Sequence, residues 1–408
     1  MRITRRSLLA GAGSAACAQR TLAQETSVIR IGLLTDLSGS TRDTSGPTSV
    51  ACVRQAILEI QAAAPGLAVE LLTADHQQKP DVGASIVREW FDRASVDAVV
   101  GVNNSAIALA VNRVVEDKDK VHLNTGAVSA DLTGPACSRN LVHWTYDTWE
   151  MAHSTGGAMV RAGGDTWFFI TADYAFGRAL QRDTSQFVMS AGGKVLGAVL
   201  YPFPGTADFS SYLLQAQASG AKVIGLANSS TDFVNTVKQA HEFGLTANGT
   251  RLAGLTVFIT DVRALGLDAA QGLVLTETFY WDLNDRTRAF TSRVLPKTAG
   301  QYPNQEQAGD YAATLHYLKT VAAMGPARAK RSGRETVAAM KAIPTDDDCF
   351  GPGSIREDGR ALHPAYLFQV KAPGESKGPW DCYKLVATTP ANDAFRPLAQ
   401  GQCPFIRT

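Results

Sequence analysis

Short apolar runs and helix-spaced segments alternate without interruption from Val28 to Thr276, and this rhythm restricts the chain to one class of fold. Val28 to Leu34 is an apolar run closed by the polar turn Thr35-Asp36-Leu37-Ser38-Gly39-Ser40, after which the pattern is helical through Ile60. Leu67 to Leu72 reads as a strand and Asp81 to Phe91 as a helix. Ala98 to Val102 and Val121 to Asn124 are further strands, with Ala106 to Glu116 helical between them. Parallel strands need long crossovers and are buried on both faces, so continuous apolar runs separated by helices predict βαβ units and a parallel sheet.

The rhythm restarts after Asp147. Met151 to Arg161, Ala179 to Ser190 and Phe233 to Phe243 are spaced as helices. Trp167 to Ile170, Lys194 to Leu200, Val223 to Ala227, Leu255 to Ile259 and Gly272 to Thr276 read as strands. Two more helices, Gln307 to Ala323 and Arg334 to Ile343, precede a tail with strands at Tyr366 to Val370 and Tyr383 to Val386. The expected fold class is therefore α/β, with two Rossmann-like lobes. A length of 408 residues, 45% hydrophobic, suits two such cores. No repeat and no long low-complexity linker separates them, so short crossings are expected.

The first 23 residues differ from the rest. They carry Arg2, Arg5, Arg6 and Arg20 and no acid, then a short weakly apolar stretch of small residues. Residues 1–23 are read as a signal peptide of twin-arginine type, with Thr21-Leu22-Ala23 as the cleavage site. The apolar stretch falls well short of the roughly 20 residues that span a bilayer. A rival reading lipidates Cys17, although Ser14-Ala15-Ala16-Cys17 lacks the usual leucine. Setting those four arginines aside leaves 35 basic against 38 acidic groups, about −3, which gives no footprint for nucleic acid or an anionic membrane.

Export to an oxidising compartment permits disulfides. Cys52 and Cys382 lie in apolar-periodic or alternating segments and read as packed side chains. Cys137 and Cys403 lie in turn-like loops and are the better candidates for a bridge, one expected to tie the tail to the loop after the fifth strand of the first lobe. No C-x-x-C or H-x-x-x-H spacing occurs, so a metal site has little support. No Walker loop is present, and no cofactor is expected. An exported oxidoreductase is the enzymatic alternative.

An exported chain of two α/β lobes, with Ile31-Gly32-Leu33-Leu34-Thr35-Asp36-Leu37-Ser38-Gly39 at its first strand, resembles the type I periplasmic binding proteins, in particular the branched-chain amino acid receptors of ABC importers. Val100 to Ser105, Asn124 to Thr133, Thr171 to Gly177 and Asp208 to Tyr212 match in the same order. The resemblance implies a hinge crossed three times, placed near Asp147, Thr278 and Asp348. Lobe 1 is then 28–147 with 279–348, and lobe 2 is 148–278 with 349–400. It also implies a periplasmic protein that closes on a small ligand and is read by a membrane permease, or a sensory receptor of the same fold.

Polar loops at strand ends offer hydroxyls and free N–H groups for a carboxylate. Ser38, Asn104, Ser105, Gly126, Ala127 and Val128 are the expected first-lobe contacts. The resemblance assigns Ser105 and Gly126 to Val128 to the ligand headgroup, with Val128 standing where a hydroxyl residue often stands. Tyr174 and Phe176 would come from the second lobe, with Asn228, Asp261 and Arg263. Asp261 is the candidate partner for an ammonium, whereas Arg263 would favour a carboxylate. The aromatic crossing His143 to Trp149, with Tyr146 inside it, is either core or pocket wall. The expected ligand is a small carboxylate, aromatic acids first and amino acids second.

Overall fold

A computed structural model describes residues 28–406. The signal peptide and its cleavage site, Cys17 included, lie outside the described residues. In the first lobe β1 (Ile29–Thr35), α1 (Gly46–Ala63), β2 (Val69–Asp75), α2 (Pro80–Arg93), β3 (Ala98–Gly101), α3 (Ser105–Asp117), β4 (Val121–Asn124) and β5 (Leu141–His143) follow one another. The strands form one parallel sheet in the order β2-β1-β3-β4-β5.

Successive side chains of a strand face opposite ways, and both faces of this sheet are covered. Ile29, Ile31 and Leu33 enter a core with α1, while Leu34 and Val99 enter another with Val87, Trp90 and Phe91 of α2 and Ile107 and Val111 of α3. Each fully buried Val, Ile, Leu or Phe contributes about 1.5 to 3 kcal/mol before the entropy of ordering the chain is charged against it.

Asp147 caps helix α4, which runs 148–161 with a π-turn at Ala152–Gly156. Its carboxylate accepts hydrogen bonds from Trp149 N at 3.0 Å and Glu150 N at 2.9 Å. The second lobe repeats the plan with β6 (Thr166–Ala172), α5 (Ala175–Ser190), β7 (Lys194–Tyr201), α6 (Ser210–Ala218), β8 (Val223–Ala227), α7 (Ser230–Glu242) and β9 (Arg251–Gly254). The parallel order is β7-β6-β8-β9.

The predicted strand Leu255 to Ile259 is replaced by β9 four residues earlier. Residues 255–258 run off the sheet end, so Thr256 and Phe258 turn toward the other lobe and α8 (Ile259–Leu265) begins at once. A separate antiparallel sheet packs on the second core, formed by β10 (Val274–Glu277), and by β14 (Ala365–Val370) and β15 (Tyr383–Thr389) from the tail.

Between those tail strands and β10, the chain returns to the first core through α9 (Asp285–Val294), α10 (Gln305–Met324) and α11 (Gly333–Ala342). The expected boundary at Asp348 falls too early. Hairpin strands β11 (Thr345–Asp347), β12 (Gly351–Ile355) and β13 (Ala361–Leu362) keep Cys349, Phe350, Ile355 and Ala361 in the first core. The last residues also return to lobe 1: Arg396 Nη2 donates to Ala130 O at 2.8 Å, and Cys403 is bonded to Cys137 with Cα atoms 5.6 Å apart. Cys137 precedes the fifth strand of this sheet rather than following it. Cys52, Cys349 and Cys382 are buried free thiols. No helix among the described residues is long and apolar enough to cross a membrane.

Candidate functional site

Both parallel sheets reverse their winding after the first strand, between β1 and β3 in one lobe and between β6 and β8 in the other. Such switch points open a crevice at the carboxyl ends of the strands. The two crevices face each other. Between them lies a nearly closed space of about 20 Å³, room for about one water molecule.

From lobe 1 the walls are Thr41 and Thr44 after β1, Asn103 and Ser105 after β3, and Gly126 and Val128 after β4. Asp36 builds the first of these loops. Its carboxylate accepts from the N–H groups of Gly39 at 2.6 Å and Thr41 at 3.0 Å, from Thr41 Oγ1 at 2.8 Å, and from Gln78 Nε2 at 2.9 Å. Burial alone would raise this carboxyl, but the donors from Gln78, Thr41 and Gly39 hold it below its ordinary range. Asn103 Nδ2 then reaches Thr41 Oγ1 at 2.7 Å and Ser45 Oγ at 2.8 Å, with His76 Nε2 2.6 Å from its Oδ1.

Local backbone strain sits at both rims. Val102, a β-branched residue just before Asn103, has φ 63°, and Ser230 in the facing lobe has φ 53°. Left-handed non-glycine residues are uncommon and cluster where a site needs them. Gly126 is needed for a different reason: a Cβ there would lie 2.6 Å from Glu306 Oε1 and 2.7 Å from Asn103 Cα.

Lobe 2 supplies Tyr174 and Phe176 after β6, Ser229 and Ser230 after β8, and Thr256 and Phe258 after β9. Tyr174 stacks on Phe203 at 4.3 Å between ring centroids and touches Phe176 at 5.6 Å. Gly177 allows this loop to fold tightly, because a Cβ there would lie 2.1 Å from Ala172 O. The lobes meet around the cavity. Thr44 Oγ1 and Ser230 Oγ are 2.8 Å apart, Thr231 Oγ1 donates to Ser40 O at 2.9 Å, and Arg182 pairs with Asp131 at 3.1 Å.

Two further residues complete the walls. Tyr146 comes from the first crossing and Glu306 from the first turn of α10. Asn304 caps that helix by accepting from Glu306 N and Gln307 N, and its Nδ2 donates to Thr44 O at 2.8 Å, pinning the helix start to the first loop. Tyr146 OH donates to Glu306 Oε2 at 3.3 Å. Burial first, then the charge of Asp310, pushes the Glu306 carboxyl well above its usual range against the pull of Tyr146.

Of the expected contacts, Ser105, Gly126, Val128, Tyr146, Tyr174 and Phe176 line the cavity. The others do not. Ser38 is exposed and donates to Asp75 at 2.6 Å. Asn104 is the N-cap of α3, accepting from Ala106 N and Ile107 N. Ala127 is packed in the α2/α3 core, and its carbonyl accepts from Asn124. Asn228 Nδ2 bonds Thr236 Oγ1 at 3.1 Å.

Asp261 accepts from Phe258 N at 3.0 Å at the start of α8, and burial raises its carboxyl to about 7. It caps this helix and lies outside the residues that line the cavity. Arg263 is exposed and lies over the Trp380 ring at 5.2 Å. In the aromatic crossing, Trp144 packs into the first core beside His316, and Trp149 packs against His153 and Phe187. Only Tyr146 of that segment reaches the cavity.

Two parallel sheets that present their carboxyl ends to one shared cavity define a two-lobed receptor for a small molecule. A family model described as periplasmic binding protein matches residues 28–378, and the chain belongs to that family. It is a substrate-binding protein of the type I fold, and membership implies a periplasmic location. A periplasmic binding protein from Burkholderia mallei is 43% identical, covers 93% of this chain and 100% of its own, and superposes with a TM-score of 0.89.

A branched chain amino acid ABC transporter periplasmic ligand-binding protein from Burkholderia xenovorans LB400 is 39% identical over 92% of this chain and 99% of its own, with a TM-score of 0.80. A solute binding protein of an ABC transporter from R. palustris, in complex with 4-hydroxybenzoate, shares the fold at 20% identity, with coverage of 89% and 97% and a TM-score of 0.80. Comparison with curated proteins finds no match.

Proposed function

We propose that this chain is the solute receptor of an ABC importer, exported by its twin-arginine-like leader, and that it captures a small carboxylate with a flat apolar body by closing two lobes on it. The observation that carries this reading is the mixed lining of the cavity, polar donors beside ring faces. Hydroxyl groups of Thr44, Ser105 and Ser230 and the backbone of Gly126 and Val128 line it beside the rings of Tyr146, Tyr174, Phe176 and Phe258. Hydroxyl and N–H donors suit a carboxylate, and ring faces suit an aryl group. Closure would be read by the membrane permease, and the chemistry of the ligand would be left unchanged.

Isothermal calorimetry against benzoate, cinnamate, phenylpyruvate and leucine tests the ligand class. At least one aryl acid is expected to bind in the micromolar range or tighter. Tyr174→Ala should weaken that acid by about 1 to 3 kcal/mol, roughly 5- to 150-fold, through lost ring packing. Tight leucine binding with no response to the three aryl acids would reject the aryl ligand.

A further inference from the structure

The cavity holds no Lys, Arg or His side chain among its lining residues, yet it contains the buried carboxyl of Glu306. An anion gripped by Ser105 and the Gly126 loop would sit against that carboxyl, since Glu306 Oε1 lies within contact of the place a Gly126 Cβ would take. Glu306 Oε2 has Tyr146 OH, and Oε1 faces the cavity without a protein partner among the described residues. Two carboxylates in a space closed to water repel strongly unless a proton lies between them.

Building on the carboxylate reading above, we infer that Glu306 takes up a proton when the lobes close and donates it as a hydrogen bond to the ligand carboxylate, so that capture is proton-linked. The surroundings of Glu306 are consistent with a neutral carboxyl. Asp310 lies one turn along the same helix, with Oδ1 accepting from Thr125 at 2.5 Å and Oδ2 unpartnered. Asp36 stands behind the first loop, Tyr146 faces it from the crossing and Tyr174 from lobe 2, and His76 is held behind Asn103. No cation in this set offsets a negative Glu306. Burial and Asp310 also shift the carboxyl in the direction that keeps its proton.

Opening the lobes would bring water to Glu306, and hydration favours the ionised carboxylate. Closure on an anion then draws one proton from solvent: the carboxylate of Glu306 becomes a carboxylic acid, and the ligand remains the acceptor. The linkage sign follows. A site whose filled form binds the extra proton loses affinity as pH rises, by up to tenfold per unit above the pKa of the open form.

The test measures the Kd of benzoate, cinnamate and phenylpyruvate for the full protein by calorimetry from pH 5.5 to 8, in buffers of different ionisation enthalpy, beside Glu306→Gln. The expected result is a Kd that rises with pH, uptake of up to one proton on binding, and a Glu306→Gln protein whose Kd is flat with pH and at least as tight as wild type at pH 8. The amide is a permanent neutral donor, so it replaces the acid but not an ionised partner. If the variant fails to fold, the wild-type pH profile and proton count still decide.

A tight aryl acid with a flat wild-type profile and no proton uptake overturns the inference while leaving the carboxylate reading intact. A loss of 100-fold or more in Glu306→Gln at every pH, with leucine as the ligand bound, also overturns it, because that is the signature of an ionised Glu306 holding an ammonium. Absence of binding by every acid overturns the carboxylate reading and this inference with it.

Discussion

Arg360→Ala should lower the free energy of unfolding by about 3 to 5 kcal/mol, measured by urea denaturation at neutral pH. Arg360 is fully buried where the chain crosses between lobes. Its guanidinium donates to the carbonyls of His143 and Thr145, and to Asp147 Oδ2 at 3.1 Å. The Phe395 ring lies under it at 4.4 Å. Removing the guanidinium leaves the buried Asp147 without its ion-pair partner, together with three carbonyls, those of His143, Thr145 and Ala361, that lose a donor. The cost is dominated by those stranded groups rather than by the ion pair itself. Because Asp147 also caps α4 and directly follows Tyr146, the loss should reach the first crossing and the cavity wall it carries.

Cys403→Ser comes second, with an expected loss of about 2 to 4 kcal/mol in the same measurement. The bridge closes a loop of 266 residues and fastens the tail beside the first lobe, next to the Arg396 contact on Ala130. Breaking it frees a large unfolded-state loop and lets residues after Phe395 detach. The buried thiols Cys52, Cys349 and Cys382 should stay unreactive in the folded protein, whereas the variant also carries the freed thiol of Cys137, which should react once the tail detaches. Ligand affinity should change little, since neither cysteine lines the cavity.

The alternation of apolar runs and helical spacing made the sheets legible, because strands covered on both faces must be apolar throughout. Ile31, Leu33 and Leu34 show this directly by serving two cores. Cavity residues that directly follow a strand, such as Ser105, Gly126 and Tyr174, were legible for the same topological reason. Glu306 was not. It is brought to Tyr146 across 160 residues of sequence, and nothing local in Asn304-Gln305-Glu306-Gln307 distinguishes a wall residue from a helix start.

Thr41 and Thr44 were missed because the five hydrogen bonds on Asp36 decide which hydroxyl of the loop faces inward, and they leave Ser38 outside. Asp261 misled for the opposite reason. An acid at the third helical position is as well suited to capping as to binding. The boundary at Asp348 failed because β11 to β13 are short strands interrupted by Gly351, Pro352 and Gly353, which carry almost no periodic signal.

The central claim is capture by closure, and small-angle scattering of the protein with and without a saturating ligand from the calorimetric panel tests it most directly. The ligand should be recovered unchanged by mass spectrometry, and the radius of gyration should fall as the two lobes come together around the cavity between Thr44 and Ser230. A radius that stays the same at saturation, or a ligand recovered chemically altered, would contradict it.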